Sequence, residues 1–247
     1  MLRIPILTYH SIDSTGSVLS ISPALFRRQI EFLALQGYQS LSLSEALSLL
    51  LGKRTLSKPG IVLCFDDGFR SVYDVAFPVL RAHGFTATFF VISDYCGQTN
   101  DWPGQPAWIP RLPLMNWKQV EALVDSSWEL AAHSATHADL TRLKNGELNG
   151  ELLRCRTRLE EVSRHPIRWF AYPYGGHDAR VRSVVRKYFE GACGTDLGFA
   201  TVRSDPFELE RIDAYYLRSF SLYRGLQSKW LVTYLQLRHW IRKARGK

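Results

Sequence analysis

The chain has no stretch approaching the roughly 20 consecutive apolar residues that a membrane-spanning helix needs. Repeats, low-complexity tracts and linker-like segments are missing too, so its 247 residues are expected to form one main folded unit. Cysteine is sparse: Cys64, Cys96, Cys155 and Cys193 lie far apart, and no Cys-x-x-Cys spacing calls for a thiolate metal site. Cys64 sits inside an apolar run and reads as a small buried thiol. The opening Met-Leu-Arg-Ile-Pro turns polar too soon for a secretory signal, so a cytoplasmic protein with reduced thiols is expected. Acid is missing from one end. All 23 Asp and Glu lie at or before Asp213, and they balance 23 of the 31 Lys and Arg. The formal charge of +8 therefore belongs to residues 214–247, and a uniformly basic nucleic-acid surface is not indicated.

What is present is alternation. Apolar runs at Ile4–Tyr9, Ile61–Phe65, Ala87–Ile92, Trp128–Ala132, Trp169–Tyr172 and Gly191–Gly194 read as strands, with shorter ones near Phe199–Val202 and Arg211–Asp213. Helical patterns fall near 23–36, 44–51, 71–83, 117–125, 146–163 and 178–188. Pro23 after Ser22 is a helix start and Gly37 a stop. Strand–helix alternation at this spacing predicts an α/β fold, an incomplete (β/α) barrel of seven or eight units. One segment interrupts it. Asp94 to Met115 carries Trp102, Pro103, Pro106, Trp108, Pro110 and Pro113 and reads as a functional loop. Its tryptophans either stack on sugar rings or pin the loop to the barrel rim.

Chemistry concentrates at strand ends. Ile61-Val62-Leu63-Cys64-Phe65 runs straight into Asp66-Asp67-Gly68. Two adjacent carboxylates at the end of a buried strand repel one another unless a cation or a shared proton relieves them. His133-Ser134-Ala135-Thr136-His137 closes another apolar run with two imidazoles that a single ion can bridge. Asp67, His133 and His137 would give three protein donors and one open position, the arrangement of a catalytic rather than a structural zinc site. Water in that position becomes acidic, and Asp66 is placed to take its proton.

These residues, together with Phe170-Ala171-Tyr172-Pro173-Tyr174-Gly175, resemble the first three motifs of the polysaccharide deacetylases of carbohydrate esterase family four. The resemblance runs in order from about residue 4 to 213. It implies a distorted (β/α) barrel, a divalent metal, zinc most often, and hydrolysis of an N-acetyl group on an amino sugar. By that resemblance Asp66 is the base and Asp67, His133 and His137 bind the metal. Tyr174 lends its backbone N–H to the oxyanion hole, and Tyr172, Pro173, Trp102 and Trp108 are candidate substrate contacts. The same donor set accepts cobalt, nickel or iron.

Two departures stand out. Where many members have an arginine that orients the base, this chain has Ala171, and Arg168 is the nearby substitute the sequence offers. The family's late histidine acid has no obvious counterpart either, since only His177 and His239 follow Pro173. Thr8-Tyr9-His10 at the end of the first strand, with Phe-Ala-Tyr-Pro-Tyr-Gly, resembles the biofilm poly-N-acetylglucosamine deacetylase branch, and His10 becomes the candidate acid. Residues 1–222 would then form the catalytic barrel. Residues 223–247 would form a basic amphipathic helix, either packed on the barrel or lying on an anionic membrane at the cytoplasmic face. Deformylation or other deacylation of a different amine, and a carbohydrate- or membrane-binding relative without turnover, are the competing functions.

Overall fold

Eight parallel strands organise the molecule in a computed structural model that describes residues 2–226 and 228–244. They are β1 (Ile6–Tyr9), β2 (Gln39–Leu41), β3 (Gly60–Phe65), β4 (Thr88–Val91), β5 (Glu129–Ala132), β6 (Trp169–Ala171), β7 (Gly191–Leu197) and β8 (Leu209–Asp213). From β3 to β8 each strand pairs with the next, β8 pairs with β1, and β1 returns to β3 in the register Ile6–Val62 to Tyr9–Phe65. Seven strands thus close the ring. The eighth, β2, lies alongside the first half of β3, from Gln39–Gly60 to Leu41–Val62, and β4 takes over from Cys64. This split partner is the distortion of the barrel. Strand β2 escapes a reading by apolar runs because it is three residues long and begins Gln39-Ser40.

The helices follow their local chemistry. Ser22 accepts the Leu25 N–H at the start of α1 (Pro23–Leu35), and Pro23 opens it where no N–H is needed. Capping boxes start α2 (Leu43–Leu50) at Ser42 with Glu45 and α4 (Trp117–Asp125) at Asn116 with Gln119. The pattern over 71–83 predicts one helix, but Val72–Ala76 forms a π turn ahead of α3 (Phe77–Ala82). Pro78 explains the difference. It has no N–H to return to Asp74, so the chain widens there. Helices α5 (Asn145–Ser163) and α6 (Ala179–Tyr188) complete the outer layer.

Side chains alternate between two cores. Ile61, Leu63 and Phe65 pack outward with Phe26 and Trp128. Val62 and Cys64 pack with Phe90, Ala131, Trp169, Ala171 and Cys193 inside the ring. All four cysteines are free, and Cys64 is buried as expected. The tail helix α7 (Lys229–Ala244) buries Leu231 and Leu235 in the outer core and leaves Trp230, Leu237 and Trp240 exposed. The last three residues of the expected tail segment, with Gln227, lie outside the described residues.

Candidate active site

Period-two alternation carries Val62 and Cys64 inward, and so brings Asp66 to the inner face at the C-terminal end of β3. His133 follows Ala131 by the same rule at the end of β5. Both are buried, at 3% exposure, as are Asp67 and His137. The turns that follow are held in left-handed backbone that side chains rarely adopt: φ is 68° at Asp67, 64° at Ser134, 59° at His137 and 57° at Tyr174. Four of the six such non-glycine positions among the described residues fall in these three motif loops, so local strain is concentrated where the functional groups are aimed.

Asp67 Oδ1 lies 3.3 Å from His133 Nε2 and 3.5 Å from His137 Nε2. Donor atoms of all three fall within 4.8 Å of one another. His133 Nδ1 is 2.8 Å from the Ala171 carbonyl, which fixes the tautomer that leaves Nε2 free to ligate. His137 is fixed by rings instead, between Trp102 at 4.5 Å and Tyr174 at 4.4 Å. Asp67 Oδ1 and His137 Nδ1 are buried without a hydrogen-bond partner among the described residues. A carboxylate oxygen orphaned between two imidazoles fits a divalent cation. The electrostatics agree: burial opposes charge on Asp67, but His133 and His137 hold its carboxyl well below the usual range. Burial pushes His137 down to about 3, which keeps its ring neutral, the form in which an imidazole can donate to a metal.

Asp66 is held by a residue that no sequence motif supplied. Arg211, on β8, donates Nη1 to Asp66 Oδ1 at 2.8 Å and Nη2 to Oδ2 at 2.9 Å, a two-pronged bond between two buried groups. Its Nε donates to the Gly194 carbonyl at 3.0 Å, and its guanidinium lies 5.6 Å from the Phe90 ring centroid. Burial would raise the Asp66 carboxyl, yet Arg211 and the nearby histidines bring it below the usual range, so it stays ionised at neutral pH. Arg168, the substitute suggested by the sequence, faces outward and pairs with Glu190 at 3.8 Å. The signal that could have revealed Arg211 is indirect. A strand end that buries an unpaired aspartate requires a cation somewhere opposite.

His10 follows β1 and lies with its Nε2 4.0 Å from Asp66 Oδ2, its side chain 19% exposed. It lines, with Asp66, Asp67, His133 and His137, an open cavity of about 480 Å³. His177 and His239 are engaged elsewhere, with Glu208 at 3.3 Å and Asp196 at 3.7 Å. Tyr172, Tyr174, Trp102 and Trp108 also line the cavity. Pro173 is buried at the start of the turn that carries Tyr174. Trp102 is 2% exposed, stands edge-on to Tyr95 and donates Nε1 to the Tyr174 hydroxyl at 3.1 Å. That is the rim-pinning geometry. Trp108, 69% exposed, leaves its ring free at the cavity edge. The proline-rich loop is ordered by buried Asn100, which bonds Pro110 and Leu112 across it.

The family model for polysaccharide deacetylase matches residues 53–189. The poly-beta-1,6-N-acetyl-D-glucosamine N-deacetylase of Staphylococcus epidermidis is 26% identical over 206 residues, covering 78% of this chain and 67% of that protein. A polysaccharide deacetylase structure from Bacillus cereus superposes with a TM-score of 0.72 at 27% identity, covering 86% of this chain and 65% of that one. The deacetylase PplD of Streptococcus pyogenes, solved with acetate, gives 0.75 at 23% identity, covering 86% and 92%, and supports the fold.

Proposed function

The chain belongs to the polysaccharide deacetylase family, and from that premise we propose a hydrolase that removes N-acetyl groups from an amino sugar by the division of labour described next. Asp67, His133 and His137 would hold a divalent metal, zinc in our proposal. When bound, such an ion supplies Lewis-acid polarisation of the acetyl carbonyl and acidifies water. Asp66, ionised and oriented by Arg211, takes the proton of the attacking water. The Tyr174 backbone N–H donates to the oxyanion that develops on the carbonyl. His10 protonates the amine nitrogen as the carbon–nitrogen bond breaks, and acetate and free amine result.

The observation that carries this proposal is the pairing of roles on neighbouring residues. Asp66 is tied to an arginine, Asp67 is aimed at two imidazoles, and both line one cavity. A binding relative without turnover has no use for a buried base held by its own arginine. Metal analysis combined with acetate release from short N-acetylglucosamine oligomers tests it. About one metal per chain and release of acetate support it, whereas a chain that retains no metal would refute it. Formate release from an N-formyl amine, with none of acetate, would favour the deformylase alternative.

We propose in addition that the exposed face of α7 touches an anionic membrane surface from the cytoplasmic side. Trp230, Leu237 and Trp240 lie exposed on a tail, residues 223–247, that carries seven basic residues and no acid. No described helix is long and apolar enough to cross a membrane. Because Leu231 and Leu235 are buried, serine at the three exposed positions is a cleaner test than truncation. Equal flotation of parent and variant with anionic liposomes would remove the proposal.

A further inference from the structure

Two arginines at the wall of the catalytic cavity have no task in the chemistry above. Helix α7 contributes Arg238, Ile241 and Arg242 to that wall. Amide hydrolysis at this site already has its cation for Asp66, namely Arg211, and its carboxylate for the metal. Among the described residues no ion pair involves Arg238 or Arg242. Arg242 spends one donor, Nη1, on the Thr195 carbonyl at 2.9 Å. Arg238 lays its guanidinium 5.0 Å from the Tyr216 ring centroid, and its Nε is buried without a hydrogen-bond partner. The carboxylate of Asp213 also lines the cavity, but it caps the following turn by accepting the Tyr215 N–H at 2.9 Å.

The placement is specific. Strand β7 is irregular between Cys193 and Leu197, and consecutive carbonyls in that stretch hold the two kinds of arginine. Gly194 accepts from Arg211, which grips the base, and Thr195 accepts from Arg242. The Thr195 side chain in turn abuts Gly175, where an added Cβ would meet Thr195 Oγ1 at 2.2 Å. Arg242 is thereby anchored against the turn that carries Tyr174. A sugar whose acetamido group reaches Asp66 shares its cavity with these two guanidinium groups. Arginine's planar fork suits phosphate in particular.

We infer that Arg238 and Arg242 form a subsite for a phosphate group carried by the amino sugar, so that the preferred substrate is a phosphorylated N-acetyl amino sugar rather than a neutral one. This rests on the deacetylase reading of the cavity. The test is calorimetric titration of the metal-loaded protein with N-acetylglucosamine 1-phosphate and with N-acetylglucosamine, repeated on the double variant Arg238→Gln, Arg242→Gln. The phosphate ester is expected to bind at least about tenfold more tightly than the neutral sugar. The double variant should reduce that gap to under about threefold while the neutral sugar binds as before. Equal affinities in the unaltered protein overturn the inference, and this comparison needs no variant to fold. A gap that the double variant keeps also overturns it, because the phosphate is then held at the Asp67–His133–His137 site. Acetate release from neutral oligomers separates the two claims: release without a phosphate preference removes the subsite alone, and no release removes the deacetylase reading.

Discussion

Replacing Arg211 by alanine should do more damage than any other single change that leaves the metal donors in place. The side chains of Asp66 and Arg211 are each 5% exposed and joined by bonds of 2.8 and 2.9 Å. Removing the cation leaves a buried carboxylate uncompensated, a loss of about 3–5 kcal/mol when one partner of a buried pair is deleted. The Gly194 carbonyl loses its donor as well. The pH dependence has a definite sign. In the parent protein Asp66 titrates below its unfolded value, so the pair stabilises at every pH above about 3.9 and is lost only as pH falls through the depressed native value. In the variant burial is opposed only by His133 and His10, so the carboxyl moves upward from its value in the parent, and stability falls relative to the parent as pH rises from about 4 through the shifted native value.

Urea unfolding of both proteins at pH 5 and pH 8 should therefore show a gap that widens toward pH 8. The acidic limb of the acetate-release profile should move to higher pH in the variant. Arg211→Lys keeps the charge but not the fork, and should recover part of the stability without the full rate. A loss under about 1 kcal/mol at pH 8, well short of what breaking a buried pair costs, with an unmoved acidic limb, would refute the reasoning.

His10→Ala should lower turnover by about 10² to 10⁴-fold with metal content unchanged, as loss of a general acid does; activity equal to the parent would remove His10 from the mechanism. Chelation should lower the thermal midpoint by roughly 5–10 °C, reversed by adding zinc, because a ligand at 100 times its dissociation constant contributes about 2.7 kcal/mol. The same treatment should leave His137→Ala nearly unmoved, and an equal shift in that variant would place the metal elsewhere. Gly175→Ala combines a φ of 71° with a Cβ 2.2 Å from Thr195 Oγ1 and should cost at least about 1–3 kcal/mol in a thermal melt. An unchanged midpoint would show that the turn beside Tyr174 can relax.

Much of this site could be read in the sequence because its residues are local to their signals. Asp66-Asp67 and His133 end apolar runs, and alternation within those runs fixes which face they take. Helices such as α1, announced by Ser22-Pro23, and α4, expected near 117–125, were equally legible. The parts that were not legible depend on partners far away in the chain. Arg211 is 145 residues from Asp66, and the expected strand began at Arg211 whereas β8 begins at Leu209, so the arginine looked like a strand edge instead of a buried position. Strand β2 is too short and polar to announce itself, and it exists because the first half of β3 offers it a partner. The tail showed its amphipathic pattern, but not which face would be buried. Leu231 and Leu235 go inward, and Arg238 and Arg242 turn to the cavity.

Whether Asp66 is the base is decided by acetate release from N-acetylglucosamine oligomers, compared between the parent protein and Asp66→Asn at equal metal content. Asparagine keeps the shape beside Arg211 but cannot accept the proton. The account predicts acetate release by the parent and a loss of about 10² to 10⁴-fold in the variant, with metal retained. Release at the parent's rate by a metal-loaded Asp66→Asn protein would contradict it.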